Sequence, residues 1–160
     1  MPDTAYLNAY LFELPPTPRN ATSAALALAR IDTLGWAPLG GYPGSDVNWP
    51  VACMLCGWQG VRFYSHLRRA QPPGRHSGCA PRAEFPPLPE ALASTASGSC
   101  TCRVRHATTA QEFFAAAHLL LLAHNDGQQE KAVALTEHLL GPCPATARRG
   151  RAALRAFPRS

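Results

Sequence analysis

The chain has 160 residues, of which 46% are hydrophobic and 16% are charged, and it carries a formal net charge of +5 at pH 7. This length allows one domain of ordinary size, or a small module with a helical appendage. The longest apolar run, residues 113–123, is too short to span a bilayer, and residues 1–14 lack a basic start, so the sequence predicts a cytoplasmic protein that does not associate with a membrane.

Residues 1–21 form an N-terminal segment that ends in a cluster of prolines. Residues 6–14 have leucines at helical spacing and also alternate as a strand does, so the pattern leaves both possibilities open. A helix is predicted after this segment, capped by Thr22 or Ser23 and ended by Gly35, a residue that favours the left-handed conformation at helix ends.

Turn signals dominate residues 36–50, which show little sign of regular structure. A strand is predicted at residues 60–64, and a short helix is predicted from Ser65. The helix that ends at Gly35 and the segment that contains Cys53, Cys56 and Cys79 together form a predicted unit over residues 22–84. Residues 85–99, rich in Pro, Ala and Ser, are predicted to be a linker.

The last part of the chain, residues 100–160, is predicted to form a helical hairpin followed by a basic C-terminal segment. Thr109 and Glu112 have the spacing of a capping box, Asn125-Asp126-Gly127 marks a turn, and Gly141-Pro142 ends the second helix. The first helix is apolar on nearly every face, so we expect it to be covered on more than one side.

Two pairs of candidate metal ligands stand out in the middle of the chain. Cys53 and Cys56 form the first pair, and His76 and Cys79 form the second, which gives the pattern Cys-x2-Cys-x19-His-x2-Cys. Structural zinc sites have four thiolate or imidazole ligands, usually supplied as two close pairs, so the pattern predicts a Zn²⁺ site. His66 is an alternative to His76 as the fourth ligand.

Two other interpretations of these cysteines stay open. A redox-active CxxC opens a helix after a strand in a βαβ unit, and no such unit is visible around Cys53 and Cys56. Cysteines are also common as small buried hydrophobic residues. A second, less regular metal site is conceivable at Cys100, Cys102, His106 and Cys143, although a strand with cysteines packed beneath the helices explains the first two equally well.

The run LGWAPLGGYPGSDVNWPVACMLCGWQG, preceded by a helix and followed by SHLRR and SGC, resembles the treble-clef zinc-finger domains that recur in actinobacterial and phage proteins. The resemblance covers residues 22–82 and implies Cys53, Cys56 and Cys79 as ligands. The family pattern has a further cysteine where this chain has Arg82, so one of the two histidines would have to take that place. Members of the family resemble DNA-associated proteins, often beside nuclease domains.

Together these observations predict an α+β fold. We expect a small zinc-stapled, treble-clef-like module of a knuckle, a β-hairpin and a short helix, followed by a C-terminal helical hairpin or three-helix unit.

Positive charge is concentrated in two segments that contain no acidic residue, 51–82 and 141–160. Arginines bind phosphate and guanine through a planar fork, and several of them lie beside aromatic residues near the first cysteine pair. Nucleic acid, with DNA favoured, is therefore the expected partner. The candidate contact residues are Arg62, Arg68, Arg69, Arg75, Arg148, Arg149 and Arg151. The alternative is that Arg75 and Arg82 balance the negative charge of the zinc centre.

The predicted metal site and the lack of known catalytic motifs both disfavour a catalytic role. A site of three thiolates and one imidazole has no open position for substrate, and no phosphate-binding loop, GxSxG or HExxH motif is present. The sequence therefore favours a non-catalytic protein. A protein-protein adaptor or homo-oligomer that acts through the apolar hairpin, residues 109–140, is the alternative to nucleic-acid binding.

Overall fold

The structure is a computed structural model that describes residues 5–79 and 106–141. In these ranges the order of elements is α1 (Ala5–Tyr10), α2 (Pro18–Leu34), β1 (Trp36–Pro38), β2 (Trp49–Cys53), β3 (Gln59–Arg62), α3 (Tyr64–Leu67), α4 (Ala110–Asn125) and α5 (Gln129–Leu140). The strands form one antiparallel sheet in the order β1-β2-β3. The predicted α+β class is confirmed, and none of the described helices is long and apolar enough to cross a membrane.

The N-terminal segment contains a helix, α1, which settles the choice that the sequence left open. Leu11 then forms an isolated bridge to Tyr42. The predicted start of α2 was wrong, because the helix begins earlier, at Pro18. The side chain of Thr17 accepts a hydrogen bond from the backbone N–H of Asn20, and proline at the first helical position needs no donor.

The end of α2 lies where the sequence places it. Gly35 caps the helix with φ of 78°, in the left-handed region that glycine adopts without strain. The chain continues directly into β1, which was not predicted because its three residues carry no strand periodicity. Trp36 pairs with Cys53 across the sheet, and this register places the start of β1 beside the first cysteine pair.

The helical hairpin of α4 and α5 matches its prediction closely. Thr109 caps α4 by accepting from the N–H of Glu112, but the carboxylate of Glu112 accepts from the N–H of Thr108, so the capping box is completed one residue early. Both α2 and α5 pack against α4, which confirms that this helix is covered on more than one side.

A single core cluster connects residues from α1 to α5 and includes Trp49, Val51 and Cys53 of the sheet. The cysteine-bearing hairpin therefore rests on the same core as the long helices. The predicted linker lies outside the described residues, as does the basic C-terminal segment, and the predicted domain boundaries stay predictions.

Candidate metal centre

The first ligand pair lies in the turn between β2 and β3. Cys53 is the last residue of β2, and its N–H donates to Trp58 O at 2.6 Å. Gly57 has φ of 78° and donates to Cys53 O at 2.8 Å, which closes a tight turn around the pair. This turn, residues 53–57, is the knuckle. It leaves Cys53 buried and Cys56 exposed.

The second pair lies at the end of the loop that follows α3. The N–H of Cys79 donates to His76 O at 3.3 Å, so a turn again holds two ligands close together. His76 is buried and Cys79 is partly buried. The loop brings this pair back over the knuckle, as the ligand spacing predicts.

Together Cys53, Cys56, His76 and Cys79 form the metal cluster. Their ligand atoms all lie within 4.8 Å of one another, and such a group could hold a metal ion. The sulfurs of Cys53 and Cys79 are 4.0 Å apart, and Cys56 Sγ lies 3.1 Å from His76 Nε2. Zinc bound tetrahedrally at about 2.3 Å from each sulfur would place two sulfurs about 3.8 Å apart. The donor set and its spacing therefore fit zinc with little movement.

The imidazole of His76 is oriented by its surroundings. Nδ1 lies 2.9 Å from the carbonyl oxygen of Ser77, and Nε2 faces Cys56. A carbonyl only accepts hydrogen bonds, so Nδ1 carries the proton and Nε2 keeps its lone pair for a metal. The ring also stacks on Trp58, with 4.5 Å between centroids and 6° between planes.

Thiol protonation in the metal cluster shows opposing effects. Burial raises the pKa of the Cys53 thiol, but hydrogen bonds from Arg75 and from the backbone of the knuckle act in the opposite direction, and the pKa comes down to about 6. This lowering of the pKa favours the thiolate, the form that binds metals.

The pKa of Cys56 is instead raised, first by desolvation and then by its interactions with the other two thiols. Mutual repulsion of this kind is what a cation between the sulfurs would relieve.

Arg75, which the sequence offered as a nucleic-acid contact or as a charge partner of the zinc, points inward. Its Nη2 donates to Cys53 Sγ at 2.9 Å and to Gly35 O at 3.1 Å, and its Nη1 donates to Leu34 O. These contacts turn the guanidinium of Arg75 towards the metal cluster and the end of α2.

Arg62 lies against aromatic rings, with its Cζ 5.0 Å from the centroid of Trp36 and 4.9 Å from that of Trp58. Its Nη1 also donates to Val61 O at 2.8 Å. Trp58 therefore lies between His76 and Arg62, and its ring packs against the metal cluster. Sequence spacing did not reveal this stack. Its one local sign is Gly60, where a Cβ would lie 2.1 Å from the Trp58 ring.

Arg68 and Arg69 are exposed immediately after α3. Their backbone is held by Arg30 of α2, whose Nε donates to Leu67 O at 3.0 Å and whose Nη2 donates to Arg69 O at 2.8 Å. We call residues 68–69 the arginine turn. His66, the alternative ligand, lies on α3 with its ring against Phe63 and does not join the metal cluster.

The remaining candidates fall mostly outside the described residues. Cys100, Cys102 and Cys143 of the possible second site do so, as do Arg148, Arg149 and Arg151. His106 is described, and its Nδ1 lies 3.2 Å from Glu137 O. His124 lies on α4, and its Nδ1 lies 2.8 Å from the hydroxyl of Tyr6.

The chain matches no known family model, no curated protein and no solved structure.

Proposed function

We propose that the metal cluster binds one Zn²⁺ and that this ion has a structural role. The observation that carries the proposal is the convergence of three sulfurs and one imidazole nitrogen within 4.8 Å. Four protein ligands complete the tetrahedron of zinc and leave no position for substrate. The ion would fasten the knuckle to the loop that follows α3.

Metal analysis of the native chain tests this proposal. One zinc per chain is expected, and Cys53→Ser and His76→Asn should each lose it, because each removes a ligand. Cys100→Ser and His66→Asn are the matched controls, and both should keep the metal. A native chain without zinc, or loss of zinc with His66→Asn and not with His76→Asn, would contradict this ligand set.

We further propose that this chain binds nucleic acid through the arginine turn. Both guanidinium groups are exposed, and no acidic residue occurs in residues 51–82 to neutralise them. Arg30 fixes the backbone of the turn, so less freedom is lost when phosphate is bound.

Phosphate is the group that this surface suits best. Trp58 is enclosed by His76 and Arg62, and Trp36 and Tyr64 are buried. Little of these rings is available to stack on bases, so contacts to the phosphate backbone, which both strands of a duplex display, would supply most of the affinity. DNA duplexes are the expected ligands.

Binding to a random DNA duplex over a range of salt concentrations tests the proposal. The double variant Arg68→Ala/Arg69→Ala should bind more weakly, and the slope of log K against log salt should fall by about 1 per lost phosphate contact. Arg19→Ala, which removes an exposed arginine at the start of α2, is the control and should bind as the native chain does. Equal binding and slope in all three proteins would contradict the proposal.

One observation favours the second candidate, an adaptor or homo-oligomer. Leu119 and Leu122 of α4 are exposed to 43% and 46%, although α4 is covered on other sides by α2 and α5. Light scattering during size-exclusion chromatography tests self-association. A native dimer that Leu119→Gln/Leu122→Gln converts to a monomer would support this function, and a native monomer would argue against it.

A further inference from the structure

We propose that Arg75 is a positioning residue of the metal centre, one that neutralises the Cys53 thiolate and joins the centre to the C-terminal end of α2. The proposal rests on the zinc site described above. It assigns a role to a residue that is not a ligand.

Three acceptors surround the guanidinium of Arg75. One is the sulfur of Cys53, 2.9 Å from Nη2, and the others are the carbonyl oxygens of Leu34 and Gly35. The guanidinium carbon also lies 4.5 Å from the centroid of the Trp36 ring. These contacts connect a ligand, the end of a helix and the first residue of β1.

The planar fork of arginine is what makes this bridge possible. Several donors in fixed directions reach a thiolate and two carbonyls together, whereas lysine offers one charged nitrogen. The carbonyls at the end of α2 carry partial negative charge and have no partner within the helix, so a cation stabilises them. Arg75 thus donates to the thiolate and to the end of the helix together, and Gly35 O also accepts from the N–H of Met54 at 3.0 Å.

Its position in the chain gives the bridge a second effect. Arg75 directly precedes His76, so fixing its side chain on α2 also fixes the start of the second ligand pair. The loop from residue 68 to residue 79 is thereby held over the knuckle. Arg75 thus positions His76 for metal binding without being a ligand itself.

Charge supports the same role. Three thiolates and Zn²⁺ leave a net charge of about −1 in a partly buried site, and such a charge is costly without a partner. Arg75 is the described arginine that donates to a sulfur of the cluster. Arg68 lies in the same acid-free segment, residues 51–82, but is exposed, which makes it the matched control.

The experiment uses the full chain with Zn²⁺ and with Co²⁺ as a spectroscopic probe. Chelator competition should show that Arg75→Ala weakens zinc binding by about 10- to 100-fold, as the loss of a group that orients a ligand typically does. The thiolate-to-cobalt charge-transfer band should move to lower energy, because Cys53 loses a hydrogen bond that stabilises its lone pairs. Arg68→Ala should change neither the affinity nor the band.

Arg75→Lys keeps the positive charge but removes the planar guanidinium, so it separates the effect of the fixed donors from the effect of charge. It also replaces Arg75→Ala in the experiment if that variant does not fold. It should restore part of the affinity and leave the band shifted. Native affinity and an unshifted band in Arg75→Ala, or in Arg75→Lys if that is the variant that folds, would overturn the assignment. A native chain that binds neither ion would instead refute the zinc proposal, so the two failures are distinguishable.

Discussion

Trp58 shows how a single aromatic side chain orders the metal centre. Its ring stacks on His76 at 4.5 Å and meets the edge of Trp36, with 6.1 Å between those centroids. The ring folds back over Gly60, whose missing side chain makes room for it. His76 is therefore held by a hydrogen bond at Nδ1 and by a stacked neighbour.

Substituting Gly60→Ala should loosen the metal centre. The new Cβ would lie 2.1 Å from the Trp58 ring, so the ring must leave its stack on His76. We expect a loss of about 1–3 kcal/mol in unfolding free energy, as overpacking usually costs, together with weaker zinc binding. Urea unfolding and chelator competition measure the two effects.

Gly40→Ala is the control for that substitution, because no described atom lies within 4 Å of a Cβ built there. It should leave both quantities unchanged. If Gly60→Ala matched Gly40→Ala, the enclosed position of Trp58 would be refuted.

At the scale of residues, the sequence could predict which four side chains come together in the metal cluster because each pair is local in the chain. It could not separate Arg75 from Arg68, because the two are the same residue type in the same acid-free segment. Which of them turns inward depends on the end of α2, a contact between residues about forty positions apart. Spacing carries no information about such a contact.

The start of α2 is set by its N-cap, Thr17, and this can be tested by substitution. Thr17→Ala removes the acceptor for the N–H of Asn20 and should cost about 1 kcal/mol of unfolding free energy. Thr22→Ala changes an exposed threonine inside the helix and should stay within about 0.5 kcal/mol of the native chain, since alanine favours helix. Thermal unfolding of both variants measures this, and a larger loss with Thr22→Ala would restore the cap predicted from the sequence.

Tyr10 attaches α1 to α2 and should make the fold sensitive to alkaline pH. Burial raises the pKa of its phenol well above the ordinary value, and its hydroxyl donates to Ala21 O at 2.5 Å. The folded state keeps the proton, whereas the unfolded state releases it above about pH 10. This contribution is complete below that pH and is lost as pH rises towards the folded pKa, at about 1.4 kcal/mol per pH unit.

Comparing the native chain with Tyr10→Phe isolates this effect. The variant loses the hydrogen bond at every pH, but its unfolding free energy should fall less steeply between about pH 10 and about pH 11.5. Urea midpoints across that range measure the difference. Parallel curves for the two proteins would show that ionisation of Tyr10 does not contribute.

At the scale of elements, α4, α5 and the end of α2 were predictable because caps and apolar spacing are local signals. The short elements α1 and β1 were less predictable from the sequence. α1 has six residues and β1 has three, too few to show a period, and both are fixed by packing against the rest of the chain.

Removing the metal should affect the molecule unevenly. If the metal cluster binds zinc as proposed, Cys53 and Cys79 hold the knuckle against the loop through the ion, whereas α4 is packed by α2 and α5. At a free zinc concentration about 100 times the Kd, bound zinc adds about 2.7 kcal/mol of stability, which chelation would remove. Hydrogen exchange should then speed up at the amides of Gly57 and Cys79 and stay slow in the middle of α4.

Cys53→Ser, which lacks a ligand, should show no further change with chelator. Equal loss of protection in α4 and in the knuckle would contradict the prediction and show that the whole chain unfolds together.

One feature of α2 constrains how this protein can change in length. Arg30 holds the arginine turn, and the carbonyls of Leu34 and Gly35, at the end of the same helix, receive Arg75. One residue inserted between Arg30 and Leu34 would rotate one set of contacts about 100° around the helix axis relative to the other. This single turn of helix therefore sets the phase between the metal cluster and the arginine turn.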